Sequence, residues 1–180
     1  MSYLVSTNEL TLTDIRAYKT AAIEAGILRA IEKLGVGRGE LVTREALPAT
    51  DFPAAWATEY YVGPAIAAVG WGAASGGAAT GTVPVGRVAV FYKLADADDN
   101  PAYTAVRFRL GAGGASTKAS FFFQLNIDNK LESDCYFSEP IVYDPNDIVT
   151  IQAYSRVALH AAEELSFGCF IIEKVGATVS

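Results

Sequence analysis

The chain holds one histidine, His160, and two cysteines, Cys135 and Cys169, in 180 residues. That scarcity removes most catalytic and metal chemistry at the outset. General acid–base and nucleophilic catalysis needs a base positioned within hydrogen-bond reach of its partner. A zinc centre needs several N or S ligands at close spacing. His160 falls in 156–164, a connector between two expected strands, and no Gly-x-Ser-x-Gly elbow accompanies it. It reads as an ordinary loop residue. No catalytic, cofactor-binding or metal-binding residue is expected. The two cysteines are too few for a disulfide scaffold. Both fall in expected strands and read as buried thiols, while a bridge between them remains a question of geometry.

Charge is sparse as well, at 19% of residues against 51% hydrophobic. Cations are scarcer than anions, fourteen against twenty, which gives a net charge of −6. Residues 1–50 carry six of each sign, so the whole acidic surplus lies in 51–180. No Lys/Arg patch interleaved with aromatics occurs, and direct nucleic-acid binding is not expected. Long apolar runs are missing too. The most apolar stretch, 60–80, is broken by Gly63, Pro64, Gly70, Gly72, Gly76 and Gly77, whereas a spanning helix needs about 20 mainly apolar residues in sequence. Residues 1–10 lack the basic start and apolar core of a signal peptide. The expected setting is a reducing, soluble compartment, or a particle assembled there. The apolar surplus exceeds the needs of a core and is of the kind often buried against a partner.

One segment has helical periodicity. In 11–34, Ile15, Tyr18, Ala22, Ile23, Ile27, Ala30, Ile31 and Leu34 recur every three or four residues. Thr11 and Asp14 match a capping box, and Gly35 sits at a usual helix stop. Arg16, Lys19, Glu24, Glu32 and Lys33 occupy the other face. The apolar stripe is a docking face, for its own domain or a neighbour. Gly35-Val36-Gly37-Arg38-Gly39 reads as a flexible joint.

Beyond it the period falls to two. Residues 40–51 read as a short strand and a turn at Leu47-Pro48. Strands are expected at 56–62 and 65–71, with a glycine-rich loop at 73–82. In 87–94, Val88, Val90, Tyr92 and Leu94 share one face. In 103–110, Val106, Phe108 and Leu110 oppose Arg107 and Arg109. A strand at 120–127 carries Phe121, Phe123, Leu125 and Ile127 on one face. Strands at 148–155 and 165–174 follow, the last apolar on both faces and so covered on both. Turn signals lie at 98–101, 111–114, 128–129, Glu139-Pro140 and 144–147. Seven to nine such strands indicate a mainly β fold, a sandwich or single jelly-roll barrel, with an N-terminal helical or extended arm. The expected division is an arm over 1–39 and a β domain over 40–180.

Other candidate sites resolve to structural roles. Asp96, Asp98, Asp99 and Asn100 could ligate a hard cation, but the loop lacks the EF-hand glycine and terminal glutamate, and it reads as a solvated turn. The same holds for Asp144, Asn146 and Asp147. Glu163 and Glu164 are adjacent and point apart in regular structure, so they form no acid/base pair. Gly111-Ala112-Gly113-Gly114 has no following Lys-Ser/Thr of a phosphate loop. Phe121-Phe122-Phe123 reads as core plus a second buried surface, with a sugar-stacking platform as the functional alternative.

The stretch Tyr136-Phe137-Ser138-Glu139-Pro140-Ile141-Val142-Tyr143-Asp144-Pro145-Asn146-Asp147-Ile148-Val149-Thr150-Ile151 follows a set order: strand, proline turn, short apolar segment, Asp-Pro-Asn-Asp turn, long strand. With Val90-Phe91-Tyr92-Lys93-Leu94 and the apolar strand at 165–174, it resembles the small major capsid proteins of icosahedral, membrane-containing phages of thermophilic bacteria and related haloarchaeal viruses. The resemblance covers roughly 56–175. It implies an upright single β-barrel that tiles a shell with copies of itself and a larger capsid protein, around an internal membrane. The implied location is the virion, assembled in the host cytoplasm. A virion decoration or spike protein, and a carbohydrate- or ligand-binding jelly-roll module, are the alternative expectations.

Overall fold

The computed structural model describes residues 4–7, 10–52, 70–73, 81–96, 103–111, 116–122, 134–155 and 165–177. The fold is mainly β. Strand β1 (Leu4–Ser6) precedes helix α1 (Leu12–Leu34). Strand β2 (Leu41–Glu45) leads into a helical turn, α2 (Pro48–Asp51). Eight further strands follow: β3 (Gly70–Ala73), β4 (Gly81–Thr82), β5 (Arg87–Asp96), β6 (Tyr103–Leu110), β7 (Ser116–Phe122), β8 (Asp134–Tyr143), β9 (Ile148–Ser155) and β10 (Leu165–Lys174).

The strands form two antiparallel sheets in a sandwich-like arrangement. The first runs β1-β8-β5-β10-β2, and the second β3-β9-β6-β7 with β4 also on β9. Four sets of pairings are nested one inside the next: β2 with β10, β3 and β4 with β9, β5 with β8, and β6 with β7. Between the sheets lies an aromatic core. Phe91 packs against Phe52, Phe108, Tyr143 and Phe167, with ring centroids 5.3–6.3 Å apart.

Helix α1 begins and ends where its sequence dictates. Thr11 accepts a hydrogen bond from the Asp14 N–H, and Asp14 accepts from the Thr11 N–H, a reciprocal capping box. Gly35 closes it in the left-handed conformation, φ 64°, which glycine adopts without steric cost. The apolar stripe lies on the outer face of its own first sheet. Ala22, Gly26 and Ala30 are buried there, with Ile23 and Ile27 beside them, over Val88, Val90, Tyr92, Tyr136, Phe170 and Ile172. Gly26 permits the close approach. A Cβ there would lie 2.5 Å from Ile172 Cδ1 and 2.6 Å from Val90 Cγ2. Burial of each large side chain in this layer contributes roughly 1.5–3 kcal/mol. β10 is thus covered on both faces: Phe167, Cys169 and Ile171 point to the inner core, Phe170 and Ile172 to the helix.

The glycine segment after α1 turns as a hydrogen-bonded corner. The Gly35 N–H donates to Ile31 O, the Glu40 N–H to Gly37 O, and the Gly37 N–H to the Glu40 carboxylate.

Three local expectations change. Leu94 does not share a face with Val88, Val90 and Tyr92. The β5–β10 register shifts between Lys93 and Phe91, leaving Tyr92 as an extra residue, and such a bulge reverses the alternation beyond it. Leu94 therefore enters the inner core. Glu139-Pro140 does not turn the chain. β8 continues through it, but its register on β5 jumps from Phe91↔Ile141 to Lys93↔Tyr136. Proline cannot donate to a ladder, so it sits at the irregularity. β7 starts at Ser116, four residues before the expected strand, and 123–127 lie outside the described residues. The expected strand at 56–62 lies outside them as well, as does the one at 65–71 except Gly70 and Trp71, which open β3. Of the expected 73–82 loop, Ala73 ends β3 and Gly81–Thr82 form β4, and the rest lies outside.

Candidate functional site

Two clusters of charge mark the two sheets, and they differ in one respect: the first is fully paired and the second is not.

The first cluster closes one end of the inner core. Arg44 on β2, Arg87 on β5 and Glu173 on β10 come together because Arg44 lies opposite Ile171 and Glu173 opposite Arg87 in the ladders. α2 adds Asp51, which is fully buried. Arg44 grips Asp51 with two hydrogen bonds of 2.6 and 2.7 Å and reaches Glu173 at 3.0 Å. Arg87 donates to Glu173 at 2.7 Å and to Asp51 at 3.4 Å. The Leu47 N–H completes the set at Asp51 Oδ2. Every carboxylate oxygen accepts at least one bond. Pairing of this kind offsets the desolvation of buried charge, and it leaves no oxygen open to a substrate. The cluster anchors α2 and Phe52 to the sandwich.

The second cluster lies on the outer face of the second sheet. Strand alternation turns Arg107 and Arg109 of β6 away from the core residues Val106 and Phe108. Both guanidiniums converge on one amide oxygen, Gln152 Oε1 on β9, Arg107 Nε at 2.6 Å and Arg109 Nη1 at 3.3 Å. Arg107 also lies over the Trp71 ring, 4.1 Å from its centroid, a cation–π contact. Trp71 meets Tyr154 edge-on at 5.3 Å. Arg109 Nε is shielded from solvent and has no hydrogen-bond partner among the described residues. Burial, and then the neighbouring Arg109 charge, pull the Arg107 guanidinium below its usual basicity.

The other residues singled out by sequence fall as follows. Cys135 and Cys169 are buried free thiols. They lie on β8 and β10, which flank β5, so two strand spacings, roughly 9–10 Å, separate them sideways. Their different partners on β5, Leu94 and Phe91, offset them further along the strands, beyond the ~7 Å a disulfide spans. Burial pushes the Cys169 thiol well above the usual range. Asp144 and Asp147 form the expected turn, with Asn146 at φ 66°. Their carboxylates face Arg29, Lys33 and Lys118 rather than a cation vacancy. Among the described residues no three His, Cys, Asp or Glu side chains group to hold a metal. Asp96 ends β5, while Asp98, Asp99, Asn100, His160, Glu163, Glu164 and 112–114 lie outside the described residues.

Sequence reasoning put Arg107 and Arg109 on one face but could not show that, among the described residues, their only polar partner is a shared glutamine. The buried Arg–Asp–Arg–Glu cluster left no local signal, since its members are spread from residue 44 to residue 173.

No protein-family model matches the chain, and a search of curated proteins gives no match.

Proposed function

We propose that this protein is a structural subunit of a virus shell, built on a single jelly roll, which tiles with copies of itself and a larger capsid protein. The nested strand pairing carries the reading. Pairing β2 with β10, β3 and β4 with β9, β5 with β8 and β6 with β7 is the pattern of one long hairpin rolled into two sheets, the construction of a jelly roll. The resemblance of 136–151 to small capsid proteins of membrane-containing icosahedral viruses points the same way. A face whose two half-buried guanidiniums share one amide oxygen and meet no carboxylate among the described residues suits a molecule whose work is lateral contact.

The test is assembly. The purified protein, alone and with the other coat proteins of the particle, is examined by negative-stain microscopy and light scattering, and its copy number in purified particles is counted by quantitative mass spectrometry. Hundreds of copies per particle support the proposal. A strictly monomeric protein absent from particles overturns it, and a handful of copies assigns it instead to a spike or decoration.

A further inference from the structure

We propose that the outer face of the second sheet, centred on Arg107 and Arg109, receives the carboxylates of a second copy of this chain in a repeating, head-to-tail contact. The inference rests on the subunit reading above and names the surface by which one copy meets the next.

The argument begins with pairing. Arg29, Arg44 and Arg87 are the other partly or wholly buried arginines of the described residues, and each has a carboxylate within 3.0 Å. Arg107 and Arg109 have none among the described residues; they share the single oxygen of Gln152. Two like charges, two residues apart on one face of a strand, repel each other, and a neutral amide offsets little of that. The pair is nevertheless held ready. Arg107 is pinned between Trp71 and Gln152, so little side-chain freedom is lost when a ligand arrives. A planar guanidinium fixed in this way matches a carboxylate with two parallel bonds. Arg109 Nε adds a buried donor without a partner, which is costly to leave unmet.

The occupant follows from charge. The described segments hold twelve cationic and twelve anionic residues, so the net −6 of the chain comes from the remaining ones. A second copy approaches the arginine face with acid in surplus. The first sheet cannot offer an equivalent face, because α1 covers its outer side. Symmetry fixes the mode. A two-fold contact through this face would bring four guanidiniums together, so the arginines of one copy meet carboxylates at a different place on the next. Contacts of that heterologous kind close into rings or extend into lattices, as a shell requires.

Sedimentation velocity across a hundredfold concentration range provides the test on four proteins: wild type, the double variant Arg107→Gln/Arg109→Gln, Gln152→Glu and the control Lys174→Gln. Gln152→Glu is nearly isosteric and places a carboxylate between the two guanidiniums, so it keeps the fold even if the double variant does not. Wild type and Lys174→Gln are expected to associate. Gln152→Glu and the double variant are expected to associate about tenfold more weakly or worse, the effect of losing a charge-paired contact. A wild type that stays monomeric throughout overturns the inference, as does a Gln152→Glu protein that associates like wild type. A labelled oligonucleotide that binds wild-type monomer and is lost in both variants also overturns it, by assigning the face to nucleic acid. Particles that form normally from the Gln152→Glu protein leave the shell reading standing and remove only this face. Loss of the shell reading with association through the arginines intact does the reverse.

Discussion

Arg29 and Asp144 form a two-pronged ion pair, Nε to Oδ1 and Nη2 to Oδ2, each at 2.6 Å. It joins the C-terminal half of α1 to the turn between β8 and β9. Lys33, one helical turn on, approaches the same carboxylate at 3.4 Å. The Arg29 guanidinium, more than the positive charge of Lys33, holds the Asp144 carboxyl below the usual carboxylate range.

Because folding lowers the pKa of Asp144, the stability it contributes is complete above the ordinary carboxylate value of about 3.9. It is lost as pH falls through the lower folded value. Asp144→Asn is expected to lower stability by about 1 kcal/mol at neutral pH. The difference from wild type should vanish in strong acid. Urea titrations of both proteins from pH 7 to pH 2 give the comparison, and a difference that persists unchanged into acid contradicts the assignment.

Gly26→Ala tests how closely helix and sheet are packed. A methyl group there meets Ile172 and Val90 at under 3 Å. Overpacking of this kind costs about 1–3 kcal/mol, against a gain of up to about 1 kcal/mol in helix propensity. The net expectation is a lower melting temperature with unchanged secondary structure, read by circular dichroism. A rise in melting temperature means the helix sits further from the sheet.

Removing Asp51 exposes the cost of the buried cluster. Asp51→Ala leaves Arg44 and Arg87 facing each other with only Glu173 between them, an expected loss of about 3–5 kcal/mol. Replacing Arg87 and Glu173 together by Met and Leu should cost less than Asp51→Ala, because the charges that remain, Arg44 and Asp51, are still paired. Chemical denaturation of the variants ranks them.

The buried thiols should be silent in the folded protein. Cys135 and Cys169 are expected to react with a thiol-specific disulfide reagent only at the rate of global unfolding. Both should titrate at once in denaturant. Rapid labelling of either under native conditions contradicts its burial.

Much of this fold is legible in the sequence where the signal is local. The reciprocal cap of Thr11 and Asp14 and the stop at Gly35 set α1 to within a residue. The alternation of Val106, Phe108 and Leu110 against Arg107 and Arg109 gives β6 its bounds, and the double-sided apolarity of β10 anticipates the helix over it. What depends on a partner strand is not legible. The extra residue at Tyr92 and the register jump at Pro140 exist only relative to β10 and β5. Residues 116–120, polar but for Ala119, join β7 because β6 is beside them to pair with, against their own weak preference. The Arg44–Asp51–Arg87–Glu173 cluster is assembled by topology from four distant positions. The arginine face could be placed but not weighed, since a missing counter-charge shows only once the neighbours are known.

The position of β10 has a consequence for how the molecule comes into being. It is the last of the ten described strands in chain order, yet it lies between β5 and β2, and supplies Phe170 and Ile172 to the layer beneath α1. A ribosome adds about 5–20 residues per second. Throughout that time α1 and β5 exist without the strand that completes their shared floor. Closure therefore waits for release of residues 165–174, and a nascent chain stalled before Leu165 leaves β5 and β2 without the strand that pairs with both of them. The arginine face, built from Trp71, Arg107, Arg109 and Gln152, all ahead of β10 in the chain, does not depend on that strand, whereas α1 has its full floor only once residues 165–174 are in place.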